Sequence, residues 1–329
     1  MTFIASVVAK NGLAVVADSL VSSFEYGISL KKWNDFIKDK KSTIAKDADF
    51  KLTEEEINKL FISKPAHTKD YEDKLFQYDK YTAITTAGAA AINNKRIADI
   101  IVEIKKKTQK NKGYNHQKIE TKVSNFCNAL ENEIKEHIAK HKFISQTTFL
   151  ISNYNKSNRK SFIFKVTVQL NNSATLLKPD CKLTITDPQL PVVVCDGQPN
   201  VAHRILYGGV LDILTAHSKL IGSTKDELIK LGIKEKKGLP ENFFAELTKK
   251  QTQIILEIQK EEVQMNKLNN LSLQQAADLA FLLLKVERDF QACTKNIPTV
   301  GGVIKLAIID DEGFKFILGN GVIKPTRHL

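Results

Sequence analysis

Helices that come in pairs, set between groups of short strands, constrain this chain more than any other feature of its sequence. The first strands form a hairpin: residues 2–19 read TFIASVVAKNGLAVVADS, two runs rich in Val, Ile and Ala around Lys10-Asn11-Gly12, with Gly at the tight position of the turn. A strand at 81–86 ends at Ala87-Gly88 and is expected to run straight into a helical stretch through Lys107. A second helix is expected over 117–139, where Ile119, Val123, Phe126, Leu130, Ile134 and Ile138 recur at helical spacing. Strands follow at 147–152 and 161–169, with 155–159 as their loop, and again at 192–195. Gly197 then opens a third helix to about 217, and Ser272 with Gln275 forms a capping box for another to about 290. Strands at 303–309 and 314–318, joined by Asp310-Asp311-Glu312-Gly313, close the chain. Paired helices between antiparallel strand groups argue against a doubly wound parallel sheet. They predict an α+β fold in layers, with two antiparallel sheets face to face and helices outside.

Two polar segments interrupt that order. Residues near 22–70 are rich in Lys, Asp, Ser and Thr and hold one short helix candidate, capped by Thr53 and Glu56. Residues near 221–268 are rich in Lys and hold one long amphipathic helix, with Phe244, Leu247, Gln251, Ile254 and Ile258 along one side. Both read as insertions in a single domain spanning 1–329, since 329 residues exceed one average domain but fall short of two full ones.

Composition excludes several classes. With 42% apolar and 26% charged residues the chain is globular. No apolar run approaches the roughly 18 residues of a membrane span, and no signal-peptide pattern follows Met1, so a cytoplasmic location without a membrane partner is expected. The net charge of +12 arises from 44 Lys against only 5 Arg, the lysines being spread along the chain. Arg is the residue suited to bidentate recognition of phosphate and guanine, so a solvated basic surface is expected and nucleic acid is not; Lys105, Lys106, Lys107, Lys110 and Lys112 form the densest cluster. Cys127, Cys181, Cys195 and Cys293 have no paired spacing for zinc or a disulfide framework. His137 and His141 share a helix face at i, i+4, but beside Lys140 and Lys142 they read as solvated, so neither metal nor cofactor is expected.

Chemistry enters at the first strand. Thr2 directly follows Met1 and is small enough for routine methionine removal, which would leave a free α-amine beside the Thr hydroxyl. A Thr hydroxyl needs a base within reach, and a terminal amine, with an unperturbed pKa of about 7.7–8.0, suits that task. Gly12 lies ten residues after Thr2 and Asp18 sixteen after it, in Val15-Val16-Ala17-Asp18-Ser19. A carboxylate at the end of so apolar a strand calls for a cationic partner. Lys74 precedes Gly88 by fourteen residues, through Lys74-Leu75-Phe76-Gln77-Tyr78-Asp79-Lys80 and Ala87-Gly88; Lys32, in Leu30-Lys31-Lys32-Trp33, is the alternative.

In these elements the chain resembles the β-type subunits of proteasomes and the related bacterial self-compartmentalising threonine proteases, of the N-terminal-nucleophile hydrolase superfamily. Thr147-Thr148-Phe149-Leu150-Ile151-Ser152 looks like that family's mid-chain strand, and Cys195-Asp196-Gly197, with Ala202 and Tyr207-Gly208-Gly209, like its Gly-Ser-Gly loop and third helix. Residues 271–279 and Thr299-Val300-Gly301-Gly302 are similar to its last helix and the turn after it. The resemblance implies a four-layer αββα sandwich and a threonine-type peptidase without cofactor. It implies Thr2 as nucleophile and base, Lys74 as the cation that lowers their pKa values, Asp18 as its partner, and the Gly88 N–H, at a helix start, as oxyanion donor. Thr86 would floor a small uncharged specificity pocket. Implied partners are a peptide or unfolded protein substrate, further copies of the chain in a homo-oligomer, and an unfoldase. Two departures stand out: Asp196 replaces the loop serine, and Asn296-Ile297-Pro298-Thr299-Val300 lacks the acidic residue and serine of the family. A catalytically silent scaffold subunit and an amidase of the same superfamily are the other functions compatible with the pattern.

Overall fold

The computed structural model describes residues 2–43, 52, 53, 56, 57, 60–69, 71–111, 113–141, 144–168, 180–186, 193–208, 210–230, 243–262, 268 and 270–319. The chain is α+β. Its elements run β1 (Phe3–Ala9), β2 (Gly12–Ala17), β3 (Val21–Gly27), α1 (Leu30–Thr43), β4 (Ile62–Lys69), β5 (Leu75–Asp79), β6 (Thr82–Ala87), and the short strands β7 (Ala91–Ile92) and β8 (Lys95–Arg96). Then come α2 (Ile97–Gln109), a 3-10 turn at Tyr114–His116, α3 (Ile119–His141), β9 (Thr147–Asn155), β10 (Lys160–Val168), β11 (Asp180–Thr186) and β12 (Val193–Gly197). The chain continues through α4 (Asn200–Tyr207), α5 (Val210–Lys230), α6 (Phe243–Glu262), α7 (Leu273–Thr294), β13 (Lys305–Ile309) and β14 (Phe314–Leu318).

Two antiparallel five-stranded sheets organise these elements, in the orders β12-β1-β2-β13-β14 and β11-β10-β9-β6-β5. Every residue of β1 and β2 is buried, and the two-residue period of a strand sorts them into two clusters. Phe3, Ala5, Val7, Ala14 and Val16 pack with Ala276, Ala280, Leu283 and Leu284 of α7 and with Ala202 and Leu206 of α4. Ile4, Leu13, Val15 and Ala17 pack with Leu75, Ala83, Ala87, Leu150 and Tyr154 of the second sheet. Ser6 and Ser152 share a hydrogen bond of 2.8 Å between the same two sheets. On its other side the second sheet gives Ile84, Phe149, Ile151 and Phe164 to a cluster with Ile100, Ile104, Phe126, Leu130 and Ile134 of α2 and α3. Burial of each such side chain contributes about 1.5–3 kcal/mol.

The helical spacing read over 117–139 coincides with α3, whose buried face is Ile119, Val123, Phe126, Leu130 and Ile134. The Ser272–Gln275 capping box is present at α7, and the Thr53–Glu56 pair also bonds reciprocally. Other expectations need correcting. Gly88 does not start a helix: Asn93 and Asn94, at φ 51° and 60°, turn β7 back onto β8, and α2 begins only at Ile97. The helix expected from Gly197 begins at Asn200, because Gly197 at φ 89° still belongs to β12, and Gly208 at φ 60° ends it at Tyr207 before α5 begins. The segment near 22–70 carries α1 and an antiparallel strand pair, β3 with β4, that joins neither five-stranded sheet among the described residues. Near 221–268, helix α6 spans the expected amphipathic stretch; the side chains of Phe244, Gln251 and Ile258 lie outside the described residues, as do Lys112, Gln169, Val192 and Gly209.

Candidate active site

Asp18 directly follows β2 and is 1% exposed. Its Oδ1 accepts hydrogen bonds from the Phe3 N–H and from Lys74 Nζ, each at 3.1 Å, and its Oδ2 accepts one from the Gly301 N–H at 3.1 Å. One carboxylate thus joins the first strand, the lysine before β5 and the turn between α7 and β13. The turn is fastened further by the Ser19 and Leu20 N–H groups, which both donate to the Gly301 carbonyl. Lys74, 6% exposed, also donates to the Leu20 carbonyl. Burial pushes the Lys74 ammonium below its ordinary value and the Asp18 carboxyl above its own, and their mutual attraction opposes both shifts. Lys32 lies elsewhere, exposed on α1, where its backbone N–H meets Ser29 Oγ.

Thr2, 3% exposed, immediately precedes β1, and its carbonyl accepts the Gln198 N–H at 2.8 Å. Gly197 lies directly against it: a Cβ there would sit 1.9 Å from the Thr2 carbonyl oxygen. Gly88 is equally confined. At φ 115°, a Cβ there would lie 2.2 Å from the Gln146 carbonyl oxygen. Thr2, Lys74 and Gly88 line one cleft of about 50 Å³ with Thr86; among the residues that spacing did not single out, Val21, Ser22, Glu72 and Asp73 line it on one side and Ala89, Ala90 and Ile97 complete it. The signal for two of these is the charged run Glu72-Asp73-Lys74 just before an apolar strand; nothing in the sequence marks Ser22. Asp73 pairs with Lys305 and accepts the Tyr71 hydroxyl at 2.9 Å, while Glu72 faces Arg96 at 3.8 Å.

The two departures from the family pattern have definite surroundings. Asp196 is paired with Lys165 of β10 and accepts its neighbour Gly197's N–H, so its carboxylate is already engaged. Thr299 is buried, its hydroxyl bonded to Gln198 and Gln291, and Gln291 Oε1 also accepts the Thr299 and Val300 N–H groups at 3.0 and 3.1 Å. These bonds hold the turn without adding a charge. The His137 and His141 rings lie 4.6 Å apart, tilted by 39°, with His137 Nδ1 accepting the Asn93 N–H; among the described residues no group of three or more His, Cys, Asp or Glu could hold a metal ion. Lys105, on α2, donates to the Gln77 carbonyl of β5 at 2.9 Å. No helix among the described residues is long and apolar enough to cross a membrane. No protein-family model matches the chain, and no curated protein matches it.

Proposed function

We propose that this chain is a proteasome-like threonine-type peptidase of the N-terminal-nucleophile class, a four-layer αββα sandwich that cleaves peptides or unfolded proteins. The observation that supports it most is the meeting of Thr2, Lys74 and Gly88 around one cleft, with Asp18 bonded to Lys74. Thr2 lies 72 residues before Lys74 and 86 before Gly88 in sequence, and together the three supply one nucleophile, one cation and one constrained backbone position. After removal of Met1, the Thr2 hydroxyl adds to the substrate carbonyl while its proton passes, through a water, to the α-amine. The Lys74 ammonium favours the deprotonated oxygen, and Asp18 holds Lys74 in place. The Gly88 N–H stabilises the tetrahedral oxyanion as a local dipole only, since α2 starts nine residues later and its positive end is not at Gly88. Collapse of the adduct expels the leaving amine, which takes the proton from the α-ammonium, and water then hydrolyses the Thr2 ester. A homo-oligomer around the cleft, fed by an unfoldase, is part of the same proposal.

A catalytically silent scaffold is the second reading, favoured by Asp196: the residue standing for the loop serine is engaged by Lys165 rather than turned to the terminal amine. Intact mass and a peptide substrate separate the two. The enzyme requires Met1 to be absent and turnover to fall by at least about 10³-fold in Thr2→Ala. Protein that begins at Thr2 and turns over no peptide is the scaffold, and retention of Met1 defeats the peptidase.

A further inference from the structure

We propose that Thr147 is a positioning residue of this site, whose hydroxyl fixes the Gly88-Ala89 peptide unit and so aims the Gly88 N–H at the oxyanion. The inference rests on the peptidase reading above and adds to it a side chain that has had no role so far. Thr147 opens β9, is fully buried and does not line the cleft, so it acts only through the backbone it holds. Its Oγ1 donates to the Ser145 carbonyl at 2.9 Å and accepts the Ala89 N–H at 3.1 Å. A hydroxyl carries one proton; with that proton directed at Ser145, only lone pairs face Ala89.

Residues 88–90 are held at three points. Gly88 lies against the start of β9, where a Cβ would sit 2.2 Å from the Gln146 carbonyl oxygen and 2.7 Å from the Thr147 Cα. The Ala89 N–H is taken by Thr147, and the Ala90 carbonyl accepts the Ile97 N–H at 3.0 Å. The Gly88 N–H makes no hydrogen bond among the described residues. Its direction follows from the ladder. The Thr86 N–H donates to the Lys74 carbonyl, and alternate N–H groups of a strand share a side, so the Gly88 N–H faces the side of β5. There the chain has left the ladder: the Glu72 N–H donates to the Ser19 carbonyl at 2.9 Å, and residues 72–74 line the cleft opposite Gly88. Without the Thr147 hydroxyl the Ala89 N–H loses its acceptor and the peptide unit next to the donor is no longer pinned. A misplacement of about 1 Å at such a group can cost on the order of 10² in rate. The oxyanion forms only on attack, so the loss falls on the transition state and not on substrate binding.

The test uses the full chain, a panel of fluorogenic peptide amides, and two variants: Thr147→Val, which keeps the shape and loses the hydroxyl, and Thr147→Ser, which keeps the hydroxyl and loses a methyl. Thr147→Val is expected to lower kcat at least about tenfold with KM within about twofold, and Thr147→Ser to keep kcat within about threefold of wild type. A role in packing alone predicts the reverse order, because Val fills the site and Ser does not. Unchanged kcat in Thr147→Val, a change confined to KM, or a greater loss in Thr147→Ser overturns the positioning role and leaves the peptidase standing. Wild-type protein that cleaves no peptide overturns both. Amide hydrogen exchange in the wild type decides if Thr147→Val does not fold: after correction for intrinsic rates, the Ala89 N–H is expected to exchange at least about 10²-fold more slowly than that of Gly88, and equal rates overturn the proposal.

Discussion

Asp18 carries more of the site than its single charge suggests, because three donors from three parts of the chain converge on its two oxygens. Removing the charge leaves the Lys74 ammonium buried against a neutral group, and an uncompensated buried charge is among the most destabilising changes a core can suffer. Asp18→Asn is therefore expected to lower stability by about 3–5 kcal/mol, read from urea midpoints at constant m value. A loss below about 1 kcal/mol would mean that the pair is not buried as described. The need for a cation beside Asp18 was legible in Val15-Val16-Ala17-Asp18, where an apolar strand ends in a carboxylate. Which lysine answers it was not. Lys32 and Lys74 were both compatible with the sequence, and only the folding of β5 against β6 puts Lys74 at 3.1 Å while α1 carries Lys32 into solvent.

Among the elements, β1 does most to place Thr2, since its pairing with β12 sets where that residue lies. Phe3 faces Gly197 in that ladder, and the Thr2 carbonyl accepts from Gln198 just beyond it. The backbone passes so close that only glycine fits, at a φ of 89° that side chains rarely adopt. Gly197→Ala is expected to cost about 1–3 kcal/mol in backbone strain, to displace Thr2, and to lower peptide turnover more than stability alone explains. Turnover unchanged in a folded Gly197→Ala protein would remove Thr2 from the mechanism. The elements that sequence reasoning misplaced share a cause. The turn at Asn93-Asn94 and the break at Gly208 are local positive-φ events that leave apolar periodicity intact on either side, so a pattern reader runs one element into the next. Strands β3 and β4 escaped because their sequences, VSSFEYG and ISKPAHTK, carry too few apolar residues to alternate visibly.

At the scale of the molecule, three apolar clusters among the described residues decide which of their side chains solvent can reach. Cys127 sits in the cluster of α2 and α3, and Cys195 packs against that of α4 and α7, where burial pushes its thiol up to about 12, with Asp196 and Glu287 adding to the shift. Cys293 is exposed near the end of α7. Iodoacetamide at pH near 8 is accordingly expected to modify Cys293 faster than the half-buried Cys195, whose thiol stays protonated, and to reach the buried Cys127 only once the protein is denatured, as peptide mapping would locate it. Native labelling of Cys195 at the rate of Cys293 would contradict the packing of α7 over the first sheet.

Periodicity and turn chemistry, both properties of neighbouring residues, were enough to determine the hairpin of β1 and β2, the helices α3 and α7, and hence an α+β chain of antiparallel strands. The family resemblance, carried by offsets along the chain, singled out Thr2, Asp18, Lys74 and Gly88, which stand next to the ends of elements whose type is locally encoded. Tertiary structure alone decided that Lys74 meets Asp18, that Lys165 occupies Asp196, that Gly88 stands apart from a helix end, and that Ser22 and Thr86 share a cleft with Thr2. Those are contacts between residues far apart in the sequence. They depend on how the faces of separate strands and helices are matched for burial, and no local pattern encodes that match.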